Sequence, residues 1–181
     1  ISRRLGIKNA DYSFVEQSFR FDERVLHLQP PTRLIGYWQS PHYFCDVAVQ
    51  VRQEIGTYGK FTDACVEILE KIKATDAICI HVRRGDYVTN KEASSFHGLC
   101  SNEYYKNGVN RVAQGLQAPH GFVFTDDPAW VREHLSIDIE FTVVDINSVD
   151  EPHLDLWLMS ACKHFVIANS SLSWWGAWLS T

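Results

Sequence analysis

The stretch ICIHVRRGDYV, Ile78 to Val88, runs from an apolar segment directly into two adjacent arginines, a glycine and an aspartate. A short β-rich run of this kind, bounded by polar residues, reads as a strand buried on both faces, as strands of a parallel sheet are. Working outward, the same unit recurs. AICIHV (77–82) is followed by a helical pattern near 102–117, GFVFT (121–125) by a short helix from Pro128, EFTVVD (140–145) by a helix near 151–163, and HFVIA (164–168) by SLSWWGAWLS (171–180). Strands alternating with helices predict an α/β fold, a Rossmann-like parallel sheet with helices on both faces. Upstream, residues 1–33 are polar and irregular, LIGYWQSP (34–41) is a short apolar run closed by a turn, and Cys45–Ile55 and Phe61–Lys73 carry helical spacings. The chain therefore divides into residues 1–74 and an alternating domain over 75–181.

With 181 residues and 45% hydrophobic content, the chain can bury a substantial core. A formal net charge of −5 argues against a general nucleic-acid or anionic-membrane binder, so an anionic ligand must meet a local cluster of positive charge. The five cysteines form no CxxC pair and read as reduced, mostly buried thiols. No signal peptide or long apolar run is present. Starting at Ile1 and ending at Thr181 inside a helical pattern, the sequence reads as a piece of something longer.

Ligands of open α/β sheets bind beyond the carboxyl ends of the strands, at the switch point of strand order. Three such ends discharge into polar clusters: HVRRGDY (81–87), TDDP (125–128) and NSS (169–171). Arg83 and Arg84 offer planar donor forks suited to phosphate, on opposite faces if the strand persists; the alternative is ion pairing with Asp86 or a helix carboxylate. Asn169, Ser170 and Ser171 precede a helix, where a hydroxyl can cap the first turn and the free N–H groups can hold an anion, or where the cap is all there is. Together these features suit a diphosphate. Asp126 and Asp127 invite a metal, but without a third ligand they read better as a helix start and site architecture. His81 shares a side of the strand with Arg83, and is otherwise a core histidine. Gly85 reads as the turn ending the strand, and Trp174, Trp175 and Trp178 as a packing stripe on one helix. Neither GxxxxGK[ST] nor GxGxxG occurs, and Arg84-Gly85-Asp86 abuts a buried strand too closely for an adhesion loop.

HVRRGDY (81–87), FTDDP (124–128) and NSSLSWWGAWLS (169–180), with GYWQSPHYF (36–44) upstream, resemble the α-1,2-fucosyltransferases, the inverting, GDP-fucose-dependent glycosyltransferase family 11. The similarity covers most of residues 34–181. It implies a GT-B architecture in which 75–181 binds the GDP-sugar and 1–74 is the end of the acceptor-side region. It further implies transfer of fucose to a galactose-containing glycan, with no metal and no cofactor beyond the donor. Arg83 would neutralise the β-phosphate, His81 and Arg84 would contact the nucleotide, Asn169, Ser170 and Ser171 would hold the diphosphate, and Asp155 would read the guanine edge. Asp86 is the first candidate for the base, with Glu92 and His97 as alternatives, although Asp86 can equally orient an arginine. The diphosphate contacts do not read the sugar, so another nucleotide sugar fits them as well. A non-catalytic carbohydrate- or partner-binding module is a reading from a different class. Members are cytoplasmic or membrane-associated in bacteria, with peripheral association possible, and sit in the Golgi membrane in animals. The glycine-rich GGLGNQ-type start typical of the family is absent, as is the sequence after the tryptophan-rich helix.

Overall fold

The computed structural model describes residues 12–55, 61–85, 98–148 and 150–181. Two compact units divide the chain, the first ending at Ala48 and the second running from Val49 to Thr181.

In the first unit two three-residue strands, β1 (Ser13–Val15) and β2 (Arg33–Ile35), pair in parallel. Neither was anticipated from sequence, because three residues are too few for a periodicity to show. Glu16 turns the chain after β2: its Oε2 accepts the N–H groups of Tyr37 (2.7 Å) and Trp38 (3.3 Å). Trp38 there adopts φ +55°, a left-handed conformation rarely taken by a bulky residue.

The unit boundary falls within the first turn of α1 (Ala48–Ile55), which follows a 3-10 turn at Cys45–Val47 that replaces the start of the expected helix. The second unit continues with α2 (Asp63–Lys73), β3 (Asp76–Val82), α3 (Asn102–Ala113), β4 (Pro119–Thr125), α4 (Pro128–His134), β5 (Phe141–Val144), α5 (Pro152–Ser160), β6 (His164–Val166) and α6 (Ser171–Leu179). The helix starts are written in the sequence. Thr62 accepts the N–H of Cys65, Ser101 that of Tyr104 and Asp127 that of Trp130, while proline opens α4 and α5.

The four long-range strands form one parallel sheet in the order β5-β4-β3-β6, so the predicted fold class is borne out. The two faces of β3 explain its apolar run Ala77–Ile80. Ala77 and Cys79 enter a core with Cys65, Ile68 and Ile72 of α2 and Leu154, Leu158 and Met159 of α5. Ile78, Ile80 and Val82 enter a second core with Tyr105 and Val109 of α3 and Val131 of α4. Helices thus cover both sides, which a central parallel strand requires. The chain builds outward from β3 through β4 to β5, then returns to the other side of β3 as β6. The switch point lies between β3 and β6, at their carboxyl ends.

On α6 the residues that seat the helix are Ser173 and Gly176, both buried, whereas Trp174, Trp175 and Trp178 are half-buried and stack edge-to-face on one another. The expected tryptophan stripe is therefore a flank. The reason is close approach: a Cβ on Gly176 would lie 2.9 Å from Cβ of Met159 on α5. Among the described residues no helix is long and apolar enough to cross a membrane. All five cysteines are free; Cys65, Cys79 and Cys162 are buried and Cys45 is exposed.

Candidate functional site

β3 and β4 pair with Val82 opposite Thr125, so the residues that follow each strand emerge level with one another. Arg83 meets Asp126 (Nη1 to Oδ2, 3.1 Å) and Arg84 meets Asp127 (Nε to Oδ2, 3.4 Å). The strand ends at Val82, and both arginines turn to the aspartate pair instead of continuing to opposite faces. Both arginines are thus ion-paired, with the two aspartates that follow β4; Asp86, the partner considered from sequence, lies outside the described residues.

Asp126 does more than pair. Its Oδ1 accepts the N–H of Arg84 (2.8 Å) and its Oδ2 the N–H of Gly85 (3.1 Å), so one carboxylate grips two successive peptide groups and a guanidinium. This explains Gly85 by space, not by turn conformation: a Cβ there would stand 2.7 Å from Asp126 Oδ2. Asp127 caps α4 through Trp130 N–H (3.0 Å), and the Trp130 ring lies under the Arg84 guanidinium, 3.9 Å from centroid to Cζ. A cation held over an indole face and bonded at its edge has little freedom to reorient. Sequence reasoning missed Trp130; its place three residues after a capping aspartate was the available signal.

His81 lies one residue inside the end of β3, 4% exposed, with Nδ1 buried and, among the described residues, without a hydrogen-bond partner. Burial drives its pKa down to about 4, the nearby Asp126 opposing and Arg83 adding to the shift, so the ring is neutral at physiological pH. Unfolded, it titrates near 6.5. In the interval between, the unfolded chain binds the extra proton, so stability is complete above 6.5 and falls as pH drops toward 4, by up to about 3 kcal/mol. Melting temperature measured against pH is expected to show this slope, and His81→Leu to flatten it.

β6 leaves the sheet beside β3, with Val166 opposite Ile80. Three residues after Val166, Asn169 and then Ser170 lead into α6. Ser170 occupies the N-cap position, yet its hydroxyl takes no N–H of the helix, contrary to the capping expected from sequence. The fourth strand end went unread. After β5, Asn147 Nδ2 donates to Asp155 Oδ1 (2.6 Å) on the first turn of α5, and Cys65 Sγ donates to Asn147 Oδ1 (3.1 Å). Burial raises the Asp155 pKa, and the Asn147 hydrogen bond opposes that rise. Asp86, Glu92 and His97 lie outside the described residues.

The site thus gathers the ends of β3, β4 and β6 with the start of α6 around the switch point, with Asp155 on the first turn of the helix after β5. It offers two oriented guanidiniums and a helix start to which the Ser170 hydroxyl makes no cap bond, a set suited to an anionic ligand, with the His81 imidazole buried behind them.

Comparison with known proteins gives a matching family model described as "Glycosyl transferase family 11" over residues 15–181. An alpha-1,2-colitosyltransferase of Escherichia coli is 37% identical over 151 residues, 80% of this chain and 50% of that protein. The O-antigen biosynthesis glycosyltransferase WbnK of Escherichia coli is 41% identical over 104 residues, 56% of this chain and 34% of its own length. Galactoside alpha-(1,2)-fucosyltransferase 2 of Oryctolagus cuniculus is 25% identical over 167 residues, 88% of this chain and 47% of that enzyme. The chain spans about half or less of the length of these curated relatives. No solved structure matches it significantly.

Proposed function

We propose that this chain, which belongs to glycosyl transferase family 11, carries the donor-binding half of an inverting GT-B transferase that moves fucose from GDP-fucose to a hydroxyl of a galactose-containing glycan. The observation that carries the reading is the arginine pair at the end of β3, fixed by Asp126, Asp127 and Trp130 beside the switch point.

In this reaction the acceptor oxygen forms a bond to the anomeric carbon as the bond from that carbon to the β-phosphate oxygen breaks. GDP departs with the electron pair, and the acceptor's proton passes to a base. Arg83 receives the charge that grows on the leaving diphosphate, and the α6 N–H groups share it through the hydroxyl-flanked turn at Ser170 and Ser171. Both carboxylates of the Asp126–Asp127 pair are engaged by arginines, backbone N–H groups and the helix start, which supports a reading in which Arg83 and the α6 N–H groups neutralise the diphosphate without a metal on that pair. By the family resemblance His81 contacts the nucleotide, although its Nδ1 is buried in this structure, Asp155 takes the guanine edge, and Asp86, or in its place Glu92 or His97, takes the proton.

A second reading keeps the site and changes the sugar. It is favoured by the relative named for colitose transfer, which is 37% identical against 25% for the rabbit fucosyltransferase. Thermal stability measured with GDP, ADP and UDP tests the common core: selective stabilisation by GDP is expected, and equal or absent shifts would overturn it. Transfer assays with nucleotide-activated fucose and colitose then separate the two sugars.

A further inference from the structure

We infer that Asn147 is a positioning residue for base selectivity, locked by Cys65 and acting through Asp155. The inference deepens the proposed function and rests on its assignment of Asp155 to the guanine edge.

Three elements distant in sequence meet at this point. Cys65 comes from the first turn of α2, Asn147 from the segment after β5 and Asp155 from the first turn of α5. The chain of donors runs one way: the Cys65 thiol donates to Asn147 Oδ1 at 3.1 Å, and Asn147 Nδ2 donates to Asp155 Oδ1 at 2.6 Å. A carboxylate is acceptor-only when ionised, and a thiol is the donor that suits the amide oxygen. Flipping the amide would set its carbonyl against a carboxylate oxygen and its NH₂ against a sulfur, so the orientation of Asn147 is fixed by its neighbours. Cys65 cannot move aside, since it is fully buried and its own N–H is held by the Thr62 cap at 3.2 Å.

The consequence falls on Asp155. Among the described residues Asn147 is the hydrogen-bond partner of this carboxylate, through one oxygen. Guanine presents a paired donor edge, its ring N–H and exocyclic amine, which a carboxylate reads only when ionised and held in the plane of the base. Asn147 favours both conditions: its N–H opposes the rise that burial imposes on the carboxyl pKa, and it pins the rotamer. Adenine offers no such paired edge, and hypoxanthine lacks the exocyclic amine.

The test measures binding of GDP, IDP and ADP, with pyrophosphate as the base-free control, to the full chain and to Asn147→Ala, Cys65→Ala, Cys65→Ser and Asp155→Ala. Hydrogen bonds to charged groups are worth enough that Asn147→Ala is expected to weaken GDP by about tenfold or more while IDP falls less and ADP and pyrophosphate hold. Cys65→Ala is expected to reproduce a smaller part of that loss and Cys65→Ser, which restores a donor, to recover it. If Asn147→Ala does not fold, the Cys65 pair alone decides. Selectivity lost in Asp155→Ala but intact in Asn147→Ala, or in Cys65→Ala where that pair decides, overturns the positioning role and leaves the guanine assignment standing. Selectivity intact in Asp155→Ala overturns both.

Discussion

Replacing Arg83 with alanine in the protein that contains this chain is expected to lower kcat/KM for transfer by about 10²- to 10³-fold, the usual cost of removing one oriented donor from the charge that develops in a transition state. The fold should scarcely notice. Arg83 keeps 36% of its side-chain surface exposed and its partner Asp126 retains two backbone donors, so the lost surface ion pair is worth about 1 kcal/mol or less. Arg83→Lys keeps the charge and loses the fork, and is expected to fall between the two. Kinetics paired with thermal melts check the separation. Near-normal turnover in Arg83→Ala would remove the arginine from the reaction.

The second large effect belongs to Asp126, and its direction discriminates between two roles. If the aspartate acted only through its charge, Asp126→Ala would leave the site more positive and tighten GDP. The geometry gives the opposite expectation. The carboxylate holds the N–H groups of Arg84 and Gly85 and the Arg83 guanidinium, so its loss frees the residues directly after β3, on which the arginine is mounted. Both GDP affinity and transfer are expected to fall, transfer by about 10²-fold, since misplacement by an ångström carries a penalty of that order. Two backbone donors lose their acceptor, but both are exposed and water can replace it, so the stability cost is about 1 kcal/mol. Asp126→Asn retains one acceptor and should recover part of each loss. Isothermal titration with GDP would decide the sign.

The sheet was legible because each strand of the second unit is a short apolar run between polar punctuation. Alternation along β3 sends Ala77 and Cys79 one way and Ile78, Ile80 and Val82 the other, yet all five are apolar, which is the pattern of a strand with helices on both sides. The candidate site was legible to the extent that its residues follow strands. Arg83, Arg84, Asp126 and Asp127 were found that way, and the ladder that sets Val82 opposite Thr125 makes their pairing a matter of register. What stayed hidden was tertiary. Asn147 matters through residues 82 positions before it and 8 after it, a conjunction no local pattern encodes. Gly85 looked like a turn glycine because the sequence cannot show that a carboxylate from another strand occupies the space of its side chain. Ser170 looked like a cap because residue type and position fit one, yet its side chain makes no cap hydrogen bond. The tryptophans of α6 drew attention through their size, although it is the smallest residue of that helix that sets the packing distance.

That last contact gives the site a ruler. Gly176 lets α6 press its backbone against Met159, the residue four positions beyond Asp155 on α5, so the two helices cannot slide past one another without collision. On the proposed assignment one helix carries the group that recognises the base and the other begins at the diphosphate. The span between the two ends of the donor is therefore measured by a rigid helix pair, and a nucleotide whose base sits at the wrong depth would present its phosphates out of reach.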